Sequence, residues 1–266
     1  MDLKRIASGI VILLSVIIML LIPNEYIVGI LLTVITVLAM DEYLNAISKI
    51  CKPVKWVEYL SCTLVGIINF VPKEYFANTI MIIMPVMLLL LFFQIIITDM
   101  KTTFRDIAYT FLGIGYISIF MSFLSKMNGI ENGKIFIIYI LIASWISDVF
   151  AYAIGKRIGK HKFSKVSPNK SIEGCVVGII SSIIFTLILT FVLNYYFGFE
   201  FSYIKLTIIS IVLNIIGQIG DFAASSIKRY VDIKDYSDLL PGHGGMLDRI
   251  DSVLFIAPFA YILFMI

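Results

Sequence analysis

Apolar residues run along this chain in long blocks separated by short polar stretches, and the block length matches a bilayer rather than a globular core. A hydrocarbon core of about 30 Å asks for roughly 20 apolar residues per helix, with about 17–25 tolerated. Nine blocks approach that measure: residues 6–22, 26–44, 56–71, 76–98, 107–124, 133–154, 174–196, 203–224 and 250–266. The third is short. Pro85 in the fourth and Pro258 in the ninth predict kinks. The first block follows Lys4-Arg5 and leads into Pro23-Asn24-Glu25 rather than a small-x-small cleavage site, so it predicts a retained helix.

The expected fold is therefore all-α, a polytopic integral membrane protein of about nine transmembrane helices. Its orientation follows from the basic residues, which concentrate in cytoplasmic loops. With the N-terminus cytoplasmic, all of the 21 basic residues except Lys73, Lys126, Lys134 and Lys205 fall inside. The richest inside loops are 155–173 and 225–249. No internal repeat or low-complexity tract breaks the chain. It reads as one continuous membrane domain, residues 1–130 supplying N-terminal helices and 131–266 carrying the motifs.

Composition sharpens this picture. Sixty per cent of the 266 residues are hydrophobic and 15% are charged, against roughly 45–50% and about 25% in soluble domains. The excess apolar surface must face lipid. A scattered net charge of +3 argues against nucleic acid as a partner. Cys51, Cys62 and Cys175 have no ligand-type spacing and are expected to be free thiols. Two histidines, His161 and His243, are too few for a histidine-based metal centre.

The candidate chemistry gathers near the inside ends of helices. In the sixth block, Ser144, Asp148, Tyr152 and Gly155 fall within roughly 80° of helical arc and predict one polar face. An acid inside a span costs on the order of 2.5–3.5 kcal/mol unless paired, which marks Asp148 as functional or as one half of a helix-locking ion pair. At the end of the eighth block, Asp221, Ser225 and Lys228 stand at i, i+4 and i+7 with Arg229 beside them. A carboxylate, a hydroxyl and two cations on one stripe suit a divalent metal with phosphate oxygens, because magnesium is usually held by one or two carboxylates plus phosphate.

Directly afterwards come Lys234-Asp235 and the turn Pro241-Gly242-His243-Gly244-Gly245, then Asp248, Arg249, Asp251 and Ser252 at the start of the ninth block. Bare glycines let backbone N–H groups approach an anion. His243, Gly244 and Gly245 are thus candidate phosphate contacts. Acids also stabilise any helix N-terminus, which accounts equally well for Asp251. Ser167-Pro168-Asn169-Lys170-Ser171-Ile172-Glu173-Gly174 reads as a helix cap. Its lysine and acid, Lys170 and Glu173, equally suit a nucleotide.

The run from Ser225 through Lys228-Arg229, Lys234-Asp235 and Pro241-Gly242-His243-Gly244-Gly245 to Asp248-Arg249-Ile250-Asp251 closely resembles the signature of the phosphatidate cytidylyltransferase, or CDP-diacylglycerol synthase, family. Asp148-x-x-Ala151-Tyr152-x-x-Gly155-Lys156 and the Ser-Pro-x-Lys…Glu-Gly stretch resemble that family's other landmarks, in the same order. The resemblance covers residues from roughly 140 to the end. Ala224 stands where the family usually has glutamate, and Tyr236-Ser237 where it has Ser-Gly. Asn169, Ser171 and Ile172 replace its usual lysine, threonine and tryptophan.

The resemblance implies transfer of CMP from CTP to phosphatidate with magnesium as cofactor; a monovalent cation beside it is left open. It also implies Asp221 and Asp248 as metal ligands, and Ser225, Lys228, Arg229, Lys234 and Asp235 as parts of the phosphate and nucleotide site, with Lys228 and Arg229 counted as catalytic. Asp148, Tyr152, Lys170, Glu173, His243, Gly244, Gly245 and Arg249 complete the expected substrate contacts. The expected setting is the cell's inner membrane, with the site facing the cytoplasm and a homodimer left open. A CTP-dependent lipid kinase, a cytidylyltransferase for another lipid phosphate and a secondary transporter are the competing readings.

Overall fold

The computed structural model describes residues 3–164, 166–168 and 170–265, so Lys165 of the basic loop and Asn169 of the Ser-Pro stretch lie outside the described residues. Every helix or strand longer than an isolated bridge is helical among the described residues. The helices are α1 (Leu3–Leu21), α2 (Glu25–Ile47), α3 (Lys55–Ile67), α4 (Lys73–Ile97), α5 (Phe104–Gly113), α6 (Phe120–Asn128), α7 (Gly133–Leu141), α8 (Ser147–Ile158), α9 (Ile172–Phe197), α10 (Tyr203–Tyr230) and α11 (Leu247–Met265). A 3₁₀ turn, Ile68–Phe70, follows α3. Wider π turns, Ile114–Ile119 and Ile142–Ile146, join α5 to α6 and α7 to α8.

Each predicted apolar block coincides with a helical stretch. Six stretches are long and apolar enough to cross a membrane: Glu25–Ile47, Lys73–Ile97, Phe104–Asn128, Gly133–Ile158, Ile172–Phe197 and Tyr203–Tyr230. Three of the nine predicted spans do not meet that measure. Of the first, Ser8–Leu21 counts among the described residues as an apolar helix shorter than that measure. α3 has 13 residues, about 20 Å of helix. α11 opens with Asp248, Arg249 and Asp251. Helix assignment continues through Pro85 and Pro258 without a break.

The chain forms two compact units. The first comprises residues 1–131 and 228–250, the second residues 132–227 and 251–266. In the first, Val54, Val57, Met87, Leu91, Ile107, Ile114 and Ile119 form a buried cluster drawn from α3, α4, α5 and the first π turn. Polar ties cross it. Ser61 and Ser118 share a buried 2.8 Å hydrogen bond, and the Asn69 amide donates to Ser125 Oγ at 3.0 Å. Thr103 and Asp106 cap α5 reciprocally, and the free Asp106 oxygen accepts the Lys52 backbone N–H at 2.6 Å.

The second unit is built on close helix contact. Ser147, Ala151 and Gly155 of α8 face Gly174 and Gly178 of α9, small residues at four-residue spacing that let membrane helices approach backbone to backbone. The π turn before α8 alters the ordinary helical ladder, and the Asn214 amide on α10 donates to Ala143 O within it at 3.0 Å. The same turn redirects Ser144. Its hydroxyl pairs with Ser252 at 2.7 Å, whereas Gly155 packs on α9 and Tyr152 is exposed. The single polar face predicted for Ser144, Asp148, Tyr152 and Gly155 is divided accordingly.

A Cβ on Gly178 would lie 2.6 Å from Ser147 Oγ, and one on Gly174 would lie 2.9 Å from Ala151 O. Gly178→Leu should therefore cost about 1–3 kcal/mol through overpacking, read as a lowered unfolding midpoint in detergent. Gly115→Ala, whose added Cβ meets nothing within 4 Å, should leave the midpoint within a degree or two. Equal midpoints for the Gly178 variant and the native chain would refute the close-packed α8–α9 seam.

Candidate functional site

In the first unit, the segment between α10 and α11 folds around two buried carboxylates. Gly242 and Gly244 adopt left-handed backbone, φ +77° and +79°, a region glycine enters without steric cost. The resulting turn is closed by Leu240 N–H to Gly244 O at 2.9 Å and His243 N–H to Leu240 O at 2.8 Å. Asp248, 8% exposed, sits in its mouth. Its Oδ1 accepts Lys228 Nζ at 2.5 Å, and its Oδ2 accepts the backbone N–H groups of Tyr236 and Gly245, each at 2.9 Å. Lys228 also lies over the Tyr236 ring, 5.5 Å from its centroid.

The second carboxylate, Glu42 of α2, is 6% exposed. Its Oε1 accepts Ser237 Oγ at 2.6 Å and Met246 N–H at 2.8 Å; its Oε2 accepts Leu247 N–H at 2.8 Å. It caps the N-terminus of α11 from another helix, where unpaired N–H groups and the helix dipole favour an anion. A Cβ on Gly245 would lie 2.4–2.6 Å from this carboxylate. The glycine-rich turn is an anion cradle as its residue types predict, and its anions here include the protein's own Glu42 and Asp248. The family departures Tyr236-Ser237 belong to this arrangement: the ring covers Lys228 and the hydroxyl donates to Glu42.

In the second unit the organising group is Lys170. Its Nζ pairs with Asp221 Oδ2 and lies 3.7 Å from Asp148 Oδ1 and 5.2 Å from the Phe222 ring centroid. Phe163 stacks on the other part of that aromatic pair, its ring centroid 4.6 Å from Phe222. Burial would discharge the lysine, yet Asp221 and then Asp148 outweigh it and raise the ammonium's affinity for its proton. Lys170 therefore stays cationic between two acids. The loop is fixed on both flanks: Ser171 caps α9 by accepting Gly174 N–H at 3.1 Å, and Phe163 N–H donates to Lys170 O at 3.1 Å. Glu173 pairs with His161 Nδ1 at 2.7 Å.

The remaining predicted residues scatter. Ser225 is buried on α10; Arg229 is exposed and donates to Ile233 O at 3.0 Å. Lys234 and Asp235 are exposed, and Arg249 is half-buried. His243 meets α1, its Nδ1 2.7 Å from Ser8 Oγ, which itself donates to Pro241 O at 2.9 Å. The rotatable Ser8 hydroxyl can donate to Pro241 O or to the imidazole, so the donor in the Ser8–His243 contact follows from the ring's tautomer. Glu42 is the residue that sequence reasoning missed. Its signal was an acid at the end of an apolar block, weakened by Asp41 beside it.

No group of three or more His, Cys, Asp or Glu side chains suited to a metal occurs among the described residues. The donor set still fits magnesium, which takes one or two carboxylates and draws further oxygens from phosphate and water. Among the described residues Asp221 meets one lysine and Asp248 Oδ1 meets Lys228, which leaves lone pairs on each carboxylate.

Comparison with known proteins places these residues in a family. Proteins named phosphatidate cytidylyltransferase are similar to this chain: that of Bacillus subtilis (strain 168) is 35% identical over 178 residues, 66% of this chain and 64% of that protein. Those of Staphylococcus haemolyticus (strain JCSC1435) and Staphylococcus aureus (strain COL) are 33% and 31% identical over 170 and 169 residues, 63% of either length. The chain thus aligns with just under two thirds of each relative. The family model described as "Cytidylyltransferase family" matches residues 3–266, and the chain belongs to that family.

Proposed function

We propose that the protein transfers CMP from CTP to phosphatidate, forming CDP-diacylglycerol and releasing pyrophosphate. The observation that carries this reading is the pair of lysine–carboxylate contacts, Lys170 with Asp221 and Lys228 with Asp248, in which Lys170, Lys228 and Asp248 lie within the family's landmark stretches. The names of the bacterial relatives support the same reaction. The setting is the plasma membrane, crossed nine times, with the N-terminus and the two basic loops in the cytosol where CTP is dissolved.

A phosphate oxygen of phosphatidate attacks the α-phosphorus of CTP; the α–β bridging P–O bond breaks and pyrophosphate departs with its electron pair. The lipid phosphate is largely dianionic near pH 7, with a second pKa of about 6, and needs no strong general base. Protein groups act by position and charge. Lys170 and Lys228 neutralise phosphate oxygens, and Arg229 and Lys234 add exposed positive charge at the end of α10 and beyond it. Asp148, Tyr152, Glu173, Ser225, Asp235 and Arg249 complete the substrate contacts, while His243, Gly244 and Gly245 shape the turn. Asp221 of the second unit and Asp248 of the first are each a carboxylate that would hold magnesium, which would supply charge neutralisation of the reacting phosphate oxygens.

CTP labelled at the α-phosphorus should place label in lipid, with pyrophosphate released in equal amount. Label entering from the γ-phosphorus would instead establish a lipid kinase, and no magnesium-dependent incorporation of either label would leave the transferase reading untenable. Asp221→Asn should lower turnover by about two orders of magnitude while the protein stays folded in the membrane, since Asp148 still faces Lys170. Asp248→Asn should lower turnover and also destabilise, since it leaves Lys228 buried beside a neutral amide at a cost of about 3–5 kcal/mol.

Orientation is checked in intact cells. Cysteines introduced as Lys162→Cys and Asp238→Cys should react only with membrane-permeant thiol reagents, and Glu200→Cys with impermeant ones. Impermeant labelling at 162 or 238 would remove the cytosolic nucleotide site.

Glu42 generates a separate expectation. Glu42→Ala leaves Ser237 Oγ and two N–H groups unmet, at about 1–3 kcal/mol for each buried group. Glu42→Gln restores acceptors through its carbonyl and should recover much of the stability. Unfolding midpoints of both variants in detergent check this; an Ala variant as stable as the native chain would sever α2 from the turn.

A further inference from the structure

A second feature of the first unit lies apart from Glu42 and Asp248 in its residues. The C-terminal ends of α2 and α4 and the N-terminal ends of α3 and α5 come together there, and between them is a cavity of about 630 Å³. Ser48, Cys51, Lys52, Pro53, Val54, Lys55, Trp56, Gln94 and Thr102 line it. The charge inside has one sign. Lys52 and Lys55 are exposed, and no acid is among the lining residues. Asp106, close by through its bond to Lys52 N–H, is buried and fully engaged with Lys52 and Thr103. Glu58, in the first turn of α3, is buried with no exposure at all. Burial, with Asp106 assisting, pushes the Cys51 thiol up to about 11, so it adds no negative charge at neutral pH.

Backbone geometry favours the same kind of occupant. α3 begins in this wall without a side-chain cap: its N-cap residue, Val54, makes no capping hydrogen bond. The N–H groups of Lys55, Val57 and Glu58 donate to Pro53 O and Val54 O, so what this helix start adds beside the two lysines is the positive end of its dipole. The surroundings distinguish a lipid from a dissolved anion. Trp56 is 47% exposed and its indole N–H is held by Gln94 Oε1 at 3.1 Å, the arrangement of an interfacial tryptophan with an apolar body and a wet edge. Met100 and Phe104, in and beside the turn that carries Thr102, are 74% and 70% exposed. Helices of membrane-crossing length end here, which places the cavity at headgroup depth.

We propose that this cavity binds the phosphate of an anionic glycerophospholipid, held by Lys52 and Lys55 beside the positive end of the α3 dipole, with its acyl chains in the adjoining bilayer. A basic group near an anionic surface contributes about 1 kcal/mol, so removing both lysine charges should weaken retention about tenfold or more. The site is independent of the proposed transferase reaction, and its test reads lipid binding rather than turnover.

The full chain, purified in detergent with a mixture of phosphatidylglycerol and phosphatidylcholine, is examined by native mass spectrometry. Selective retention of phosphatidylglycerol, reduced about tenfold in the Lys52→Gln/Lys55→Gln variant at an unchanged unfolding midpoint, is the expected result; equal retention overturns the site. If the double variant unfolds, Lys55→Gln alone carries the comparison, with about a fivefold loss expected. A second reading uses Trp145→Phe, which leaves Trp56 as the only tryptophan. Phosphatidylglycerol should shift its emission, while inorganic phosphate at the same concentration should not. An equal response to inorganic phosphate would make this a free-anion site and overturn the lipid assignment.

Discussion

A carboxylate withdrawn from water must be met by donors where it is buried, because desolvation of the charge far exceeds the worth of an ordinary contact. The segment between α10 and α11 is shaped by that demand. Asp248 is held by one ammonium and two backbone N–H groups, and Glu42 by one hydroxyl and two more. To bring those N–H groups to bear, the chain reverses through Gly242 and Gly244 in left-handed backbone and passes Glu42 at Gly245, where a methyl group would not fit. The turn has little freedom left: its glycines follow from the carboxylates, and the start of α11 follows from the turn.

The second unit answers the same physics with different parts. Lipid offers helices no hydrophobic reason to associate, so small residues and buried hydroxyls supply the contact. α8 and α9 approach through serine, alanine and glycine. Elsewhere Ser182, Thr186 and Ser210 form a buried hydroxyl chain with separations of 2.8 and 3.1 Å. Asn214 meets a carbonyl within a π turn, and Gln218 donates to Asn214 Oδ1 at 2.7 Å and to Cys175 O at 3.0 Å. This packing leaves Lys170, on a loop pinned by the Ser171 cap, next to Asp221 and Asp148. The ion pair is reached from three separate stretches of chain, yet each is placed by local rules: a cap, a close helix seam and a long regular helix.

Much of this was legible in the residues. Block lengths foretold helices throughout, the Ser-Pro stretch foretold a cap, and the two acid clusters marked where charge would be concentrated. Span number was less legible: of the nine predicted spans six meet the length and hydropathy of a crossing among the described residues, while α3 has 13 residues and α11 opens with charged residues. Local periodicity failed at Ser144 because it assumes an unbroken α-helix, and a π turn shifts the register by one residue. The glycine turn was read as a cradle for phosphate, and in the structure backbone N–H groups at and just after it meet the protein's own carboxylates. What it held was out of reach, because Glu42 lies some two hundred residues earlier and only tertiary structure brings it there. Periodicity carries information over a few turns of helix; the partners of a buried charge are set by the whole fold.

The two lysine–aspartate pairs have a property that matters for phosphate chemistry. A lysine left unpaired at low dielectric tends to lose its proton, and with it the charge that an anionic substrate needs. In the Lys170–Asp221 pair the carboxylate keeps the ammonium charged before any substrate arrives, as the raised proton affinity of Lys170 shows. An incoming phosphate brings oxygens that can replace the carboxylate as acceptor, and a divalent cation can then take the carboxylate. Each pair is thus matched to two ligands of opposite sign, a cation for the acid and an anion for the base. That exchange conserves local charge when metal and phosphate enter together. For the reaction proposed above, it gives a physical reason for CTP and magnesium to be bound together.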